Sequence, residues 1–183
     1  LKKVPHIRFL DLAIVFYCLI SLELTQGSAT ILIHQSHLNN WNIQTSELFQ
    51  IAKNNTPRIL PEKLYDMNDV LHTLSSRNLF SLDDDCPSNP YPMFVLTNES
   101  NLFGAACMLY KDLLHQLAEE AEMDFYILPS SIHEVILVPT LECNNYHELS
   151  EMVQEVNDTQ LQDDEILSTH AYYYSRKRNE ISM

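Results

Sequence analysis

The first third of the chain alternates apolar runs with polar stretches in the way expected of a β-hairpin. Residues 12–20 form an apolar run rich in β-branched and aromatic side chains, and residues 29–33 form a second one. Such side chains favour strands. The polar stretch around Gly27 is typical of a turn between two strands. The pattern therefore predicts a hairpin made of 12–20 and 29–33.

The stretch after the hairpin carries start and stop signals of short helices. Residues 34–41 are expected to form one or two helical turns. Thr45 is expected to cap a second helix whose apolar residues continue to Ala52. Pro57 is expected to end that helix, because the residue before a proline avoids helical angles. A further short helix is expected at 67–74.

The second half of the chain shows a clearer succession of strands and helices. Apolar residues recur at helical spacing in two stretches, 113–121 and 146–156. Short apolar runs bounded by turn residues or prolines predict the strands. These predicted strands lie at 93–97, 103–110, 124–128, 132–138 and 170–175.

This succession predicts an α+β fold, with a mostly antiparallel sheet and helices packed on one face. The order in the second half is β-β-α-β-β-α-β, preceded by the β-hairpin and helices. Residues 81–92 contain three prolines and three consecutive aspartates, which is typical of a linker. We therefore expect an N-terminal lobe of hairpin and helices at 1–80, a linker at 81–92 and an α+β C-terminal lobe at 93–183.

Composition and charge narrow the classes of function. The chain of 183 residues is 45% hydrophobic, which is ordinary for a globular protein, and its 2 glycines exclude a glycine-rich phosphate loop. No motif of a dinucleotide site, an α/β-hydrolase or a zinc protease occurs. The formal net charge of −14 argues against nucleic acid or an anionic membrane as the main partner.

Most of the negative charge lies in the second half of the chain. Residues 1–92 carry seven Lys and Arg against nine Asp and Glu, whereas residues 93–183 carry four against sixteen. Many of these acids fall on the two predicted helices, at Glu119, Glu120, Glu122, Glu148, Glu151 and Glu155. A solvated helix face is the ordinary explanation, and a docking surface for a basic partner is the alternative.

The cysteines are widely spaced and form no CxxC pair; they are Cys18, Cys86, Cys107 and Cys143. A disulfide scaffold has more cysteine in a shorter chain, so we expect reduced thiols and a cytoplasmic location. Cys18 and Cys107 lie in apolar runs and are expected to be buried. His34 and His37 are expected to cap a helix at the surface. No metal site and no cofactor are predicted.

The N-terminal apolar run also has a second interpretation. Lys2, Lys3 and Arg8 precede the run and small residues follow it, an order that imitates a secretory signal peptide. The run is too short to span a bilayer. Asp11 beside the run, and the β-branched and aromatic residues within it, favour the hairpin.

The most promising polar cluster lies at 128–135, where two predicted strands meet. A hydrolase or transferase could use Ser130 or Ser131 as nucleophile and His133 as general base. Cys107 is an alternative nucleophile, although its apolar neighbours favour a place in the core. The structural explanation is that the serines bond the turn backbone and that His133 is a strand histidine with a hydrogen-bond partner.

Other polar and aromatic residues are candidates for binding. Asn98 opens the turn after the first strand of the second half, and Glu134 stands beside the serine and histidine cluster. The tyrosines at 172–174 alternate across the last predicted strand, so some of them are expected to face solvent. Exposed tyrosines on an edge strand suit a protein partner or self-association, and we take Tyr172 and Tyr174 as candidates.

Five short motifs follow one another along the chain: VPHIRFLDLAIV at 4–15, NTPRILP at 55–61, VLTN at 95–98, GAAC at 104–107 and LPSSIHEVI at 128–136. In this order they resemble a family of uncharacterised proteins from clostridial gut bacteria, known as a domain of unknown function. The resemblance covers nearly the whole chain. It implies that the chain is the C-terminal part of a longer protein and that the apolar run at 12–20 is internal. It carries no activity and no catalytic residue.

Two hypotheses from different classes follow. The first is a non-enzymatic cytosolic binding module that has a protein partner or self-associates, with no role for nucleic acid or membrane. The second is a small hydrolase or transferase that uses Ser130, Ser131 and His133. Convergence of the Ser131 and His133 side chains in a pocket would favour the enzyme, whereas His133 packed against apolar neighbours would favour the module.

Overall fold

The computed structural model of the chain describes residues 2–22, 27–67, 93–129, 131–140, 145–160, 162 and 164–183. The backbone divides into two units, Leu1–Arg58 and Ile59–Met183. The predicted linker at 81–92 lies outside the described residues, as does the predicted helix at 67–74 apart from its first residue. Both stay predictions.

The first unit consists of two short antiparallel strand pairs followed by two helices. Its elements are β1 (Ile7–Phe9), β2 (Leu12–Ile14), β3 (Tyr17–Leu22), β4 (Gly27–Leu32), α1 (Gln35–Trp41) and α2 (Thr45–Ile59). The predicted hairpin is confirmed, because β3 pairs with β4 in antiparallel register from Tyr17 opposite Leu32. The run at 12–20 is not one strand, however: its first part, β2, pairs with β1 instead.

A small apolar core holds this first unit together. It is built from the buried side chains of Phe16, Ile33, Leu38 and Leu48. Phe16 lies in the short link between β2 and β3, and its carbonyl accepts the N–H of Ile33 at 2.9 Å. The core therefore joins the base of the hairpin to both helices.

The two histidines of α1 cap the helix, as predicted. His34 occupies the N-cap position, and its backbone N–H donates to Nδ1 of His37 at 3.1 Å. The ring of His37 stacks on the exposed ring of Trp41, with the two ring centres 5.7 Å apart. A capping side chain satisfies an N–H group that the helix itself leaves without a partner.

The second helix, α2, departs from the prediction at both ends. It begins at Thr45, so Thr45 is its first residue rather than its cap, and the N–H of Gln44 donates to the Glu47 carboxylate at 2.9 Å. It also runs through Pro57 to Ile59. Pro57 stands in the last turn of α2. A proline has no N–H, so one hydrogen bond is missing there, but little of the helix follows that could be disrupted.

The second unit is built on a six-stranded antiparallel sheet. Its elements are β5 (Glu62–Asp66), β6 (Phe94–Asn98), a 3-10 helix (Gly104–Leu109), α3 (Leu113–Ala121), β7 (Phe125–Leu128), β8 (Val135–Pro139), α4 (Tyr146–Gln160), β9 (Tyr172–Ser175) and β10 (Glu180–Ser182). The strands lie in the order β10-β9-β7-β8-β6-β5. The α+β class and the antiparallel sheet are confirmed. Since β5 pairs with β6, residues 62–66 belong to this unit.

The predicted strand at 103–110 is a 3-10 helix, so that part of the prediction is wrong. The backbone turns sharply before it, because Asn101 and Phe103 both have positive φ angles, 50° and 53°. The helix itself begins with Gly104, Ala105 and Ala106, small residues without the branched or aromatic side chains that favour strands. The apolar run is buried, but as a short helix against β6.

Both faces of the central strands are buried. On one face, α4 packs through Leu149 and Val153 against Leu128 of β7 and Val138 of β8. On the other face, residues that alternate with these are buried as well, among them Ile127. Within the described residues, no helix combines the length and the apolar character needed to cross a bilayer.

The tyrosine-rich strand β9 is an inner strand of the sheet. The chain turns after Ser175 and returns as β10, which pairs with the outer edge of β9. Tyr172 and Tyr174 are 0% and 2% exposed. The predicted pair of exposed tyrosines on an edge strand is therefore wrong, because the chain forms a further strand, β10, after the basic residues 176–178, and this strand was not predicted.

We predict that Leu38→Ala destabilises the first unit by about 3 kcal/mol, because a leucine with 0% exposure leaves a cavity in a small core. Ile51→Ala is the matched control: this position on α2 is 46% exposed, and the cost should stay below about 1 kcal/mol. Urea unfolding followed by the fluorescence of Trp41, the single tryptophan, measures both. Equal costs would contradict the core described here.

Candidate functional site

Ser131 closes the turn that leads into β8. Its hydroxyl oxygen accepts the backbone N–H of His133 at 3.0 Å, and its own N–H donates to the carbonyl of Glu134 at 3.2 Å. The side chain is buried. Ser130, the other predicted nucleophile, lies outside the described residues. Ser131 therefore bonds the turn backbone rather than the imidazole of His133.

The imidazole of His133 is held by the loop before the 3-10 helix. The ring stacks on Phe103, with centres 5.8 Å apart and planes 12° apart. Nδ1 accepts the backbone N–H of Phe103 at 3.3 Å, so the proton of the neutral ring resides on Nε2. The hydrogen bonds recorded for Ser131 and His133 thus link side chain to backbone, and no nucleophile–base pair is formed between them.

Gly104 brings three backbone segments into close contact. A Cβ atom at this position would collide with the hydroxyl of Thr97 and with the carbonyl oxygen of His133. These two groups bond each other, since Thr97 Oγ1 donates to the His133 carbonyl at 2.8 Å. A second link joins the segments, because Ala105 N–H donates to the carbonyl of Ile132 at 3.3 Å. We call this contact of β6, the 3-10 helix and the turn at 131–134 the glycine junction.

Asn98 closes the loop that leaves β6 at the glycine junction. Its side-chain oxygen accepts the N–H groups of Ser100 and Leu102 at 3.0 and 3.3 Å, and its amide nitrogen donates to the Leu102 carbonyl at 2.8 Å. The residue is buried. All three bonds are internal to one loop, so they shape the backbone there.

Cys107 is a core cysteine, as expected. Its thiol is fully buried and donates to the carbonyl of Thr97 at 3.1 Å. Burial raises the pKa of this thiol to about 11, although the neighbouring Tyr110 hydroxyl lowers it in part. A thiol that stays protonated is a poor nucleophile. Cys18, in contrast, is an exposed free thiol, so its predicted burial is wrong.

The remaining binding candidates are dispersed over the unit. Glu134 is half-buried, and its backbone carbonyl serves the Ser131 turn. Tyr172 and Tyr174 are buried in β9, where the Tyr174 hydroxyl donates to the side chain of Asn179 at 2.8 Å. The structure thus brings Asn98, Ser131, His133 and the backbone of Glu134 to the glycine junction, and it leaves the tyrosines in the sheet.

A half-buried group of tyrosines on β7, β9 and α4 was missed by the sequence reasoning. The ring of Tyr126 lies 5.7 Å from that of Tyr173 and 6.5 Å from that of Tyr146, measured between centres. The Tyr173 hydroxyl donates to the carboxylate of Asp124, and this bond raises the pKa of Tyr173. We call these three tyrosines, together with Asp124, the aromatic patch. Only the strand register, which sets Tyr126 opposite Tyr173, could have revealed it.

A row of acidic side chains lies along the exposed face of α4. Sequence spacing predicted three of its members, and the structure adds a fourth within the same helix. We call this row the acidic stripe; it consists of Glu148, Glu151, Glu155 and Asp158, all exposed. In the part of the chain that the structure describes, no three His, Cys, Asp or Glu side chains form a group able to hold a metal ion.

Comparison with known proteins gives a family match without an activity. A family model described as "Family of unknown function (DUF5688)" matches residues 1–176, which agrees with the expected resemblance to a domain of unknown function. Neither the curated proteins nor the solved structures contain a match to the chain.

We predict that Asn98→Ala destabilises the second unit by about 3 kcal/mol, because the N–H and carbonyl of the half-buried Leu102 lose their bonds to the buried Asn98 side chain. Asn101→Gly is the matched control in the same loop, since the exposed Asn101 has a φ of 50° that glycine adopts without strain. Circular dichroism during thermal unfolding measures both. A stable Asn98→Ala protein would argue that Asn98 does not shape the loop.

We predict that iodoacetamide labels Cys18 in the folded protein and leaves Cys107 unmodified. At pH 8 a thiol with a pKa of about 11 is ionised in roughly one molecule in a thousand, and its burial also blocks the reagent. Mass spectrometry of the peptides before and after unfolding in urea measures the labelling. Rapid labelling of Cys107 in the folded state would contradict a core position.

Proposed function

This chain belongs to the family of unknown function DUF5688, and we propose that it acts as a non-enzymatic binding module whose acidic stripe docks a basic protein partner. The proposal rests on one observation: four exposed carboxylates share one face of α4, and none of them has an ion-pair partner among the described residues. The partner is a protein segment rich in lysine and arginine. We propose that the protein binds this partner in the cytoplasm, because the free thiols Cys18 and Cys107 suit a reducing compartment.

The stripe follows from the spacing of residues in α4. An α-helix turns by about 100° per residue, so side chains three or four positions apart lie on the same face. The acids at 148, 151, 155 and 158 are spaced three, four and three apart. The opposite face carries Leu149, Val153 and Asn157, all buried. The helix therefore directs its acids away from the sheet and into solvent.

The charges of the stripe have no compensation in the described part of the chain. The ion pairs found there involve Asp112, Glu119 and Glu180, and none involves an acid of α4. The helix contains no lysine or arginine. Like charges three or four residues apart destabilise a helix, and an acid in the last turn opposes the helix dipole. A basic partner would relieve both costs.

The charge of the second unit supports a basic partner over an acidic one. Residues 59–183 contain six Lys and Arg against 22 Asp and Glu. Complementary charge accelerates association and disfavours partners of the same sign. Nucleic acid and anionic lipid carry the same sign as this unit and would be repelled.

Among the described residues, the contacts of Ser131, His133 and Cys107 do not support the hydrolase or transferase alternative. An enzyme of the serine type needs a nucleophile bonded to its base and a second group that orients the base. Ser131 and His133 instead bond backbone groups of the glycine junction. The Cys107 thiol bonds the carbonyl of Thr97 and is kept protonated by burial.

We predict that a fluorescein-labelled peptide of alternating lysine and alanine binds the protein, and that neutralising the stripe weakens this binding at least tenfold. The variant is Glu148→Gln, Glu151→Gln, Glu155→Gln and Asp158→Asn. Each lost exposed ion pair is worth roughly 0.2–1 kcal/mol, so an average of about 0.4 kcal/mol for each of the four reaches the tenfold level of about 1.4 kcal/mol. Fluorescence anisotropy measures the dissociation constants.

A second variant carries the same change of net charge at other exposed acids: Glu99→Gln, Glu120→Gln, Glu122→Gln and Asp164→Asn. It should bind the peptide within about twofold of the unmodified protein, because an interaction localised on α4 does not depend on these residues. Equal weakening in both variants would show a diffuse attraction to the whole unit. That result, or no binding by the unmodified protein, would contradict the proposal.

A further inference from the structure

We infer that the aromatic patch binds the ammonium group of a lysine side chain carried by the basic partner. This inference rests on the proposed function, which it extends from a charged surface to a specific chemical group. It starts from the juxtaposition of three tyrosine rings, Tyr126, Tyr146 and Tyr173, with the carboxylate of Asp124.

The ring of Tyr126 contacts the rings of Tyr173 and Tyr146 at two different angles. The planes of Tyr126 and Tyr173 are inclined by 61°, and those of Tyr126 and Tyr146 by 49°. All three side chains are half-buried, so each keeps part of its surface in contact with solvent. Because the face of an aromatic ring carries negative charge, rings inclined in this way attract a cation lying over any of them.

Asp124 places a carboxylate beside the Tyr173 ring, and hydrogen bonds to both its side chain and its backbone hold the residue in position. One carboxylate oxygen accepts the Tyr173 hydroxyl, and the other accepts the backbone N–H of Arg176 at 2.8 Å. Its carbonyl accepts both the N–H and the hydroxyl of Thr140. A carboxylate held in place in this way loses no conformational freedom when a ligand binds, which favours affinity.

The nearby cations of the chain itself are engaged elsewhere. The guanidinium of Arg176 pairs with Glu119 at 3.7 Å, and that of Arg178 pairs with Glu180 at 3.0 Å. Among the described residues, no lysine or arginine side chain forms an ion pair with Asp124. In the part of the chain that the structure describes, the carboxylate accepts hydrogen bonds but has no ion-pair partner, so a cation from another molecule can pair with it.

The chemistry of the patch selects an organic ammonium ion. A divalent metal ion needs several ligands, and in the described residues Asp124 belongs to no group of three His, Cys, Asp or Glu side chains that could hold one. An anion would be repelled by the carboxylate and by the ring faces. Lysine carries a compact charge on an apolar stem, so its methylenes can lie along the tyrosines while its ammonium group reaches Asp124.

The patch and the acidic stripe are linked through α4, which carries the whole stripe and one tyrosine of the patch, so they can serve one partner. Tyr146 is the first residue of α4, and Glu148, the first acid of the stripe, follows two positions later. Tyr146 shares the sheet-facing side of α4 with Leu149 and Val153, whereas the stripe lies on the opposite side. A basic segment would therefore have to pass around the first turn of α4 to place one lysine at the patch while its other cations face the stripe. The stripe would supply attraction at a distance, and the patch would supply a fixed point of contact.

The first test uses choline as a probe of the patch alone. Choline and 3,3-dimethyl-1-butanol have the same shape, but only choline carries the positive charge on its branched end. In proton–nitrogen NMR spectra we expect choline to shift the backbone amide signals of Tyr126, Tyr146 and Tyr173 at least threefold more than the neutral alcohol does. Equal shifts, or no shift with either compound, would overturn the inference.

The second test measures whether the patch contributes to binding of the lysine–alanine peptide. Tyr146→Leu removes the ring, and Tyr146→Phe keeps it. We expect the leucine variant to bind the peptide at least threefold more weakly and the phenylalanine variant to restore most of that loss. An arginine–alanine peptide of the same length should lose less than the lysine peptide. Equal losses for the two peptides would overturn the preference for lysine.

These tests separate the inference from the proposed function. If the stripe variant loses the peptide while Tyr146→Leu keeps it, the docking face stands and the patch is not its lysine site. If choline binds at the patch but the lysine–alanine peptide does not bind, the patch is a site for an ammonium group. The proposed docking face is then contradicted, and so is the proposal that a lysine of the partner occupies the patch.

Asp124→Asn removes the charge and keeps an oxygen acceptor. This variant should weaken choline binding at least threefold, and unchanged binding would contradict the role of Asp124.

Discussion

The close contact of three backbone segments at Gly104 is the constraint on which the second unit depends. A side chain here would collide with Thr97 and with the carbonyl of His133, so only glycine lets the segments meet. The polar groups that this contact buries are then satisfied in turn. The Thr97 hydroxyl donates to the His133 carbonyl, the Cys107 thiol donates to the Thr97 carbonyl, and the amide of Asn98 closes the adjoining loop. Buried polar groups need hydrogen-bond partners. The side chains of Cys107 and Ser131, which could in principle act as nucleophiles, therefore bond backbone groups here.

Sequence patterns predicted the elements whose signals are local, and they failed where distant contacts decide the conformation. The 3.6-residue period indicated α3 and α4, and the two apolar runs indicated the β3–β4 hairpin. The stretch at 103–110 is as apolar as a strand, but its contacts with Thr97 and the turn at 131–134 make it a 3-10 helix. In the same way, β9 is an inner strand only because β10 pairs with it, and no pattern within β9 itself indicates that pairing.

The parts of the candidate site also differ in whether local sequence signals or distant contacts determine them. The acidic stripe could be predicted from spacing alone, since any helix at 146–160 has to place its acids on one face. The aromatic patch could not, because it joins β7, β9 and α4 through a register and a packing contact. The serine and histidine cluster was correctly located at a strand junction. Its chemistry was not predictable, because the partner of His133 is the N–H of Phe103, 30 residues away.

The uncompensated acids of α4 give the helix and its proposed complex opposite responses to ionic strength. Dissolved salt limits the range of electrostatic forces to about 8 Å at physiological concentration and to about 3 Å at 1 M. Within α4, this screening weakens the repulsion between Glu151 and its neighbours Glu148 and Glu155, so the helix becomes more stable. Between α4 and a basic partner, the same screening weakens the attraction. We therefore expect that α4 is most stable at high salt concentration, where binding of the basic partner is weakest.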